Sequence, residues 1–160
     1  TMYVYIPTNK LASPPIVVAI HMCGGTGDGY FSQTQGYAQS ADKYGFIVIY
    51  PNHPDCWDVA STQTLTHNGG GDSQTIVNMV KYAVANYGGD ANRVYMTGTS
   101  SGAMMTNVLA GAYPDVFKAG VVYGGVPDGC FYVAGATTGS PGWNSQCSGG
   151  TLIKDRKSVV

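Results

Sequence analysis

Hydrophobic positions along this chain gather into short unbroken runs separated by longer mixed stretches. Such runs lie at 2–6, 16–20 (Ile-Val-Val-Ala-Ile), 46–50, 94–98 and 119–123. Val- and Ile-rich runs of this length, without polar alternation, predict strands of a sheet covered on both faces. The mixed stretches between them predict helices over 31–44, 72–87 and 101–112. In the second, Ile76, Val80, Ala83 or Val84 and Tyr87 recur at helical spacing, with Asp72 or Ser73 as candidate N-cap. Gly88-Gly89 is expected to end that helix, and Pro114 follows the third. Strand and helix therefore alternate, which predicts an α/β fold: a mostly parallel sheet, helices on both faces and right-handed crossovers. No internal repeat is present, and low complexity is confined to 133–150.

The strand at 94–98 runs directly into Gly98-Thr99-Ser100-Ser101-Gly102, and a helix is predicted to follow at once. In a chain with 23 Gly among 160 residues a Gly-x-Ser-x-Gly match alone is weak. Its place between strand and helix makes it a nucleophile elbow, in which a sharp turn presents one hydroxyl, here that of Ser100. Gly98 and Gly102 suit such a turn because a side chain there would strike a neighbouring element. A second turn, His21-Met22-Cys23-Gly24-Gly25, follows the strand at 16–20. Acyl transfer needs backbone N–H groups aimed at the oxyanion, and the residue after the nucleophile together with an early Gly-rich turn supplies them in α/β-hydrolases. Ser101 and Cys23 occupy those positions.

Five separated motifs occur in a fixed order: His21-Met22-Cys23-Gly24-Gly25, Cys56-Trp57-Asp58, Gly70-Gly71-Asp72, the elbow continuing through Ala103-Met104-Met105, and Tyr113-Pro114-Asp115-Val116-Phe117. Over about residues 1–150 the chain resembles the secreted fungal acetylxylan and feruloyl esterases of carbohydrate esterase family 1, relatives of polyhydroxybutyrate depolymerases. The resemblance implies an α/β-hydrolase fold and a serine esterase acting on acetylated or feruloylated xylan, with Ser100 as nucleophile and Cys23 and Ser101 as oxyanion-hole residues. Removal of acetyl groups is the first expectation. Feruloyl ester hydrolysis comes second and polyester depolymerisation third. A catalytically dead polysaccharide-binding fragment of the same fold is the reading from another class.

Composition narrows the partners. Net charge is −1 and only 11% of residues are charged, so there is no basic stripe for nucleic acid and no polybasic run for a membrane surface. No apolar run approaches the ~20 residues of a membrane span. Neither cofactor nor metal is expected, because no His/Cys cluster has zinc spacing. High Gly, Tyr, Ser and Thr with few Lys and Glu suits a secreted, extracellular enzyme, and the chain is expected to begin after processing; a monomer is expected. Its four cysteines allow three full pairings. Cys130 and Cys147 bracket a polar loop that a disulfide would staple. Cys23 with Cys56 is a second possible bridge, and two buried free thiols are the alternative.

Ligands of open α/β sheets bind beyond the carboxyl ends of the strands. That places 21–30, 51–58 and the loop after 124 at the substrate, with Trp143 and Trp57 as candidate substrate contacts. Core packing behind the site is the other reading of Trp57. In this fold the triad runs Ser, then Asp or Glu, then His, and no histidine follows Ser100. His21 belongs to the oxyanion turn, and His53 and His67 precede the nucleophile. Asp115 reads as a helix-exit residue and Asp128 as a turn residue. The catalytic Asp and His are thus expected outside these residues, which makes 1–150 the N-terminal part of a catalytic domain. Residues 151–160 read as an atypical tail, since Lys154, Arg156 and Lys157 are three of the chain's eight basic residues.

Overall fold

The computed structural model describes residues 1–135 and 142–152. Eleven elements follow in chain order: β1 (Met2–Tyr5), β2 (Ile16–Ile20), α1 (Gly27–Gln33), α2 (Gln35–Tyr44), β3 (Ile47–Pro51), α3 (Thr62–Leu65), α4 (Gly71–Tyr87), β4 (Val94–Thr99), α5 (Ser101–Ala112), β5 (Ala119–Tyr123) and α6 (Ser145–Ser148). The strands form one sheet in the order β1-β3-β2-β4-β5. β2, β3, β4 and β5 run parallel, and β1 joins antiparallel, with Met2 opposite Pro51. Of the tail singled out above, residues 151–160, all but Thr151 and Leu152 lie outside the described residues.

Alternate strand residues serve opposite faces, because side chains of a strand alternate across the sheet. Ile16, Val18 and Ile20, with Ile47, Ile49, Val94 and Met96, pack against Ile76 and Val80 of α4 and Met105, Val108 and Leu109 of α5. On the other face Ala19, Val48 and Tyr50 meet Tyr30 and Ala41 of α1 and α2. Two-sided coverage of the central strands explains their unbroken apolar runs.

Three expectations are corrected. The helix read over 31–44 is two helices and starts earlier. Thr26 caps α1 by accepting from the Gly29 amide (3.1 Å), and the chain breaks at Thr34 (φ −121°), whose hydroxyl bonds back to the Tyr30 carbonyl. Neither Asp72 nor Ser73 caps α4. Gly70 is its N-cap, the Asp72 carboxylate accepts from the Asp58 amide (2.8 Å), and the Ser73 hydroxyl donates to the Thr64 carbonyl. Finally, β5 is not covered on both faces. It pairs with β4 at the sheet edge and all five of its residues are exposed, Val121 and Tyr123 each at 54%. An edge position removes the cover that a run like Ala-Gly-Val-Val-Tyr suggests.

Both suggested disulfides form, Cys23–Cys56 and Cys130–Cys147. The first joins the turn after β2 to the loop after β3. The second closes the segment around α6, where Cys130, Phe131 and Cys147 make a small buried cluster.

Candidate active site

β4 ends at Thr99 and α5 begins at Ser101, leaving Ser100 alone at the corner. Ser100 has φ 55° and ψ −118°, a conformation side chains rarely adopt. Among the described non-glycine residues it shares a positive φ only with Asn68. Its amide donates to the Tyr123 carbonyl of β5 (2.9 Å), and its carbonyl accepts from the Met104 amide (3.0 Å). Held by its backbone on both sides, the residue leaves its side chain exposed.

The flanking glycines are required by contact. A Cβ on Gly98 would collide with the Gly102 carbonyl group, and one on Gly102 with the Ile20 carbonyl of β2. Those neighbours are backbone and cannot swing aside. The Gly-x-Ser-x-Gly spacing is thus the condition for β4, α5 and β2 to meet this closely.

Ser100 opens into a cavity of about 510 Å³. Cys23, Ser101, Trp57 and Trp143 line it too, so all five site residues inferred from sequence come together. They do so differently. Trp143 is 68% exposed and leans on Phe131, with ring centroids 4.8 Å apart. Trp57 is 4% exposed, its ring lies against His21 (4.9 Å) and His53 (5.2 Å), and its indole N–H donates to the His21 carbonyl (2.9 Å). It is a wall of the cavity with its polar atom already used. The cavity also includes Met104 and Phe131, which sequence reading did not single out as site residues. Their signals were present: Met104 lies in the first turn of α5 and Phe131 follows a bridged cysteine.

The loop after β3 binds the two turns together. Cys56 is bridged to Cys23, and the Trp57 amide donates to the Ser101 hydroxyl (2.9 Å). The Asp58 carboxylate accepts from the amides of Ala60 and Ser61 and from the Ser61 hydroxyl, which folds the next residues into a tight turn. Burial raises the Asp72 pKa above the usual carboxylate value.

Each of the three histidines has hydrogen-bond partners other than Ser100, and His53 lines the same cavity. Fully buried His21 donates from Nδ1 to the Met22 carbonyl (2.7 Å) and accepts at Nε2 from the His53 amide (3.2 Å). Burial lowers its pKa. His53 accepts at Nδ1 from the Asp55 amide (3.2 Å), while its Nε2 faces the Asp72 carboxylate at 3.6 Å. His67 donates from Nδ1 to the Ala112 carbonyl at the far end of α5 (2.7 Å). Among the described residues no group of His, Cys, Asp and Glu could hold a metal ion.

Known proteins fit this geometry. A family model described as Esterase PHB depolymerase matches residues 1–140. Acetylxylan esterase A of Aspergillus ficuum is 56% identical over 155 residues, which cover 95% of this chain and 50% of that protein. The Emericella nidulans acetylxylan esterase A is 55% identical over 154 residues, 94% of this chain and 50% of the relative. Among solved structures, the acetyl xylan esterase from Aspergillus awamori superposes with a TM-score of 0.88 at 52% identity, covering 96% of this chain and 56% of that one. A poly(3-hydroxybutyrate) depolymerase from Bordetella parapertussis shares the fold at 18% identity, with a TM-score of 0.61 over 74% of this chain and 44% of the other. The chain spans about half the length of the curated relatives it matches. With its strand-to-helix elbow and its mostly parallel sheet, the chain belongs to the esterase PHB depolymerase family and has the α/β-hydrolase fold.

Proposed function

We propose that the protein is a secreted serine esterase that removes acetyl groups from xylan. The observation that carries this reading is Ser100, exposed at a strained corner and open to a cavity shared with Cys23 and Ser101. The acetylxylan esterases named above, at 52–56% identity, supply the substrate class. Ser100 Oγ attacks the acetyl carbonyl carbon, and the amides of Cys23 and Ser101 hold the oxyanion as the tetrahedral intermediate forms. A histidine outside residues 1–160, oriented by an acid also outside them, takes the hydroxyl proton and returns it to the departing sugar oxygen. Water then repeats the sequence on the acetyl-enzyme and releases acetate. Trp143 offers an exposed aromatic face for a xylose ring. No cofactor enters this chemistry, and a monomer suffices for it.

The two disulfides support an oxidising, extracellular setting. No described helix is long and apolar enough to cross a membrane. One feature favours feruloyl ester as a second substrate class. The cavity is roomy, and Trp57, Val59, Met104, Phe131 and Trp143 give it an apolar wall that an aromatic acid could fill.

In the natural protein, Ser100→Ala is expected to abolish both acetate release from acetylated xylan and covalent labelling by an organophosphate probe. Persistence of either activity overturns Ser100 as nucleophile. Xylan binding without any acetate release by the unsubstituted protein would mark a binding module instead.

A further inference from the structure

We propose that Trp57 is a positioning residue that sets the spacing of the two oxyanion donors. This rests on the esterase reading above. The donors belong to separate segments, Cys23 to the turn after β2 and Ser101 to the first residue of α5. Their relative position is therefore a tertiary matter: the β2–β4 ladder sets the two turns side by side, and the loop after β3 ties them a second time. Trp57 touches both sides. Its main-chain N–H donates to the Ser101 hydroxyl and its indole N–H to the His21 carbonyl, each at 2.9 Å and each buried.

The contacts around these bonds leave little slack. His21 O is one of the backbone atoms that a Cβ on Gly102 would strike, so this carbonyl is closed in between α5 and the indole. Cys56, one residue before Trp57, is bridged to Cys23, and the Asp58 amide, one residue after, is anchored on Asp72 of α4 (2.8 Å). The ring itself is wedged between His21 and His53. At 4% exposure, with its N–H consumed, the indole has no donor to offer a sugar. Its chemistry is directed inward, at the frame of the oxyanion turn.

Oxyanion stabilisation depends on donors already in place when charge develops, so slack in that frame acts on the transition state more than on bound substrate. Trp57→Phe keeps an aromatic side chain beside the histidines but removes the indole N–H together with part of the ring's bulk. In the natural protein it is expected to lower kcat about 10- to 100-fold with KM within about twofold, as small displacements of catalytic groups do. The same factor is expected on p-nitrophenyl acetate and on acetylated xylan. Ser101→Ala keeps the Ser101 amide but removes the acceptor of the Trp57 amide. It is expected to reproduce the kcat loss, and the double variant to fall little further than the worse single one.

A Trp57→Phe enzyme with unchanged kcat overturns the proposal. So does a loss confined to KM for xylan with p-nitrophenyl acetate untouched, which would make Trp57 a sugar contact. Should Trp57→Phe not fold, Ser101→Ala decides: an unchanged kcat overturns the proposal and a kcat-only loss supports it. If the unsubstituted protein neither hydrolyses esters nor takes up an organophosphate, the esterase reading falls and takes this inference with it. An active parent with unaffected variants sinks this inference alone.

Discussion

Ser100 and Asp128 show two ways in which single residues depart from low-energy choices. A non-glycine residue in a sparsely populated backbone region is destabilising by about 1–3 kcal/mol and persists only where its surroundings hold it. At Ser100 those surroundings are β4, α5 and the Tyr123 carbonyl of β5. Asp128 departs through solvation. Its carboxyl is packed beside Gly111 of α5, its Oδ1 is buried without a hydrogen bond, and burial pushes its pKa up to about 6, an effect the Gly129 amide opposes. An unfolded aspartate titrates near 3.8, so here the folded state holds the proton more tightly. The associated stability is fully present below pH 3.8 and is lost as pH rises through about 6. Asp128→Asn is thus expected to stabilise the protein by about 1–2 kcal/mol at pH 7, allowing for the solvent-facing part of the group, and by little at pH 4. Thermal unfolding of both forms across that range checks it, and a gain equal at both pH values excludes the carboxyl as its source.

At the scale of elements, the elbow is a packing problem among β2, β4 and α5. α5 carries Gly102, Ala103, Met105, Thr106, Val108 and Leu109 as buried residues, so it lies deep against the sheet. Gly102 lets its first turn approach the Ile20 carbonyl. Gly102→Ala is expected to destabilise the fold by about 3 kcal/mol or more, because the obstructing atoms are main chain and relief requires moving the helix. Denaturant unfolding measures it, and a change below about 1 kcal/mol would mean that α5 shifts freely. Other elements were less legible. The break at Thr34 comes from a hydroxyl turning back on the Tyr30 carbonyl, which the spacing of apolar residues does not register. α4 likewise begins without the cap its sequence offers, because Asp72 and Ser73 are taken by Asp58 and Thr64.

For the whole molecule, residues 1–160 bring Ser100, Ser101 and Cys23 to one apolar cavity, and all three histidines have other hydrogen-bond partners. Produced alone, these residues are expected to turn over p-nitrophenyl acetate with only the roughly 10³–10⁴-fold residual catalysis that oxyanion and binding contributions supply without a triad. A kcat at the level of a complete esterase would show that one of these histidines swings to Ser100. Strand runs, the α5 boundaries and the elbow were all readable because each depends on residues adjacent in sequence: apolar runs, a strand-to-helix turn and glycines at close approaches. The sequence by itself therefore determined the fold class, the strand-to-helix corner that carries Ser100 and the place of the cavity at the carboxyl ends of the strands. Only the tertiary structure decided that Trp57 faces inward and that Cys23 is bridged to Cys56. Each of these depends on which distant segments meet, and burial and hydrogen-bond partners are properties of that meeting rather than of any residue's own chemistry.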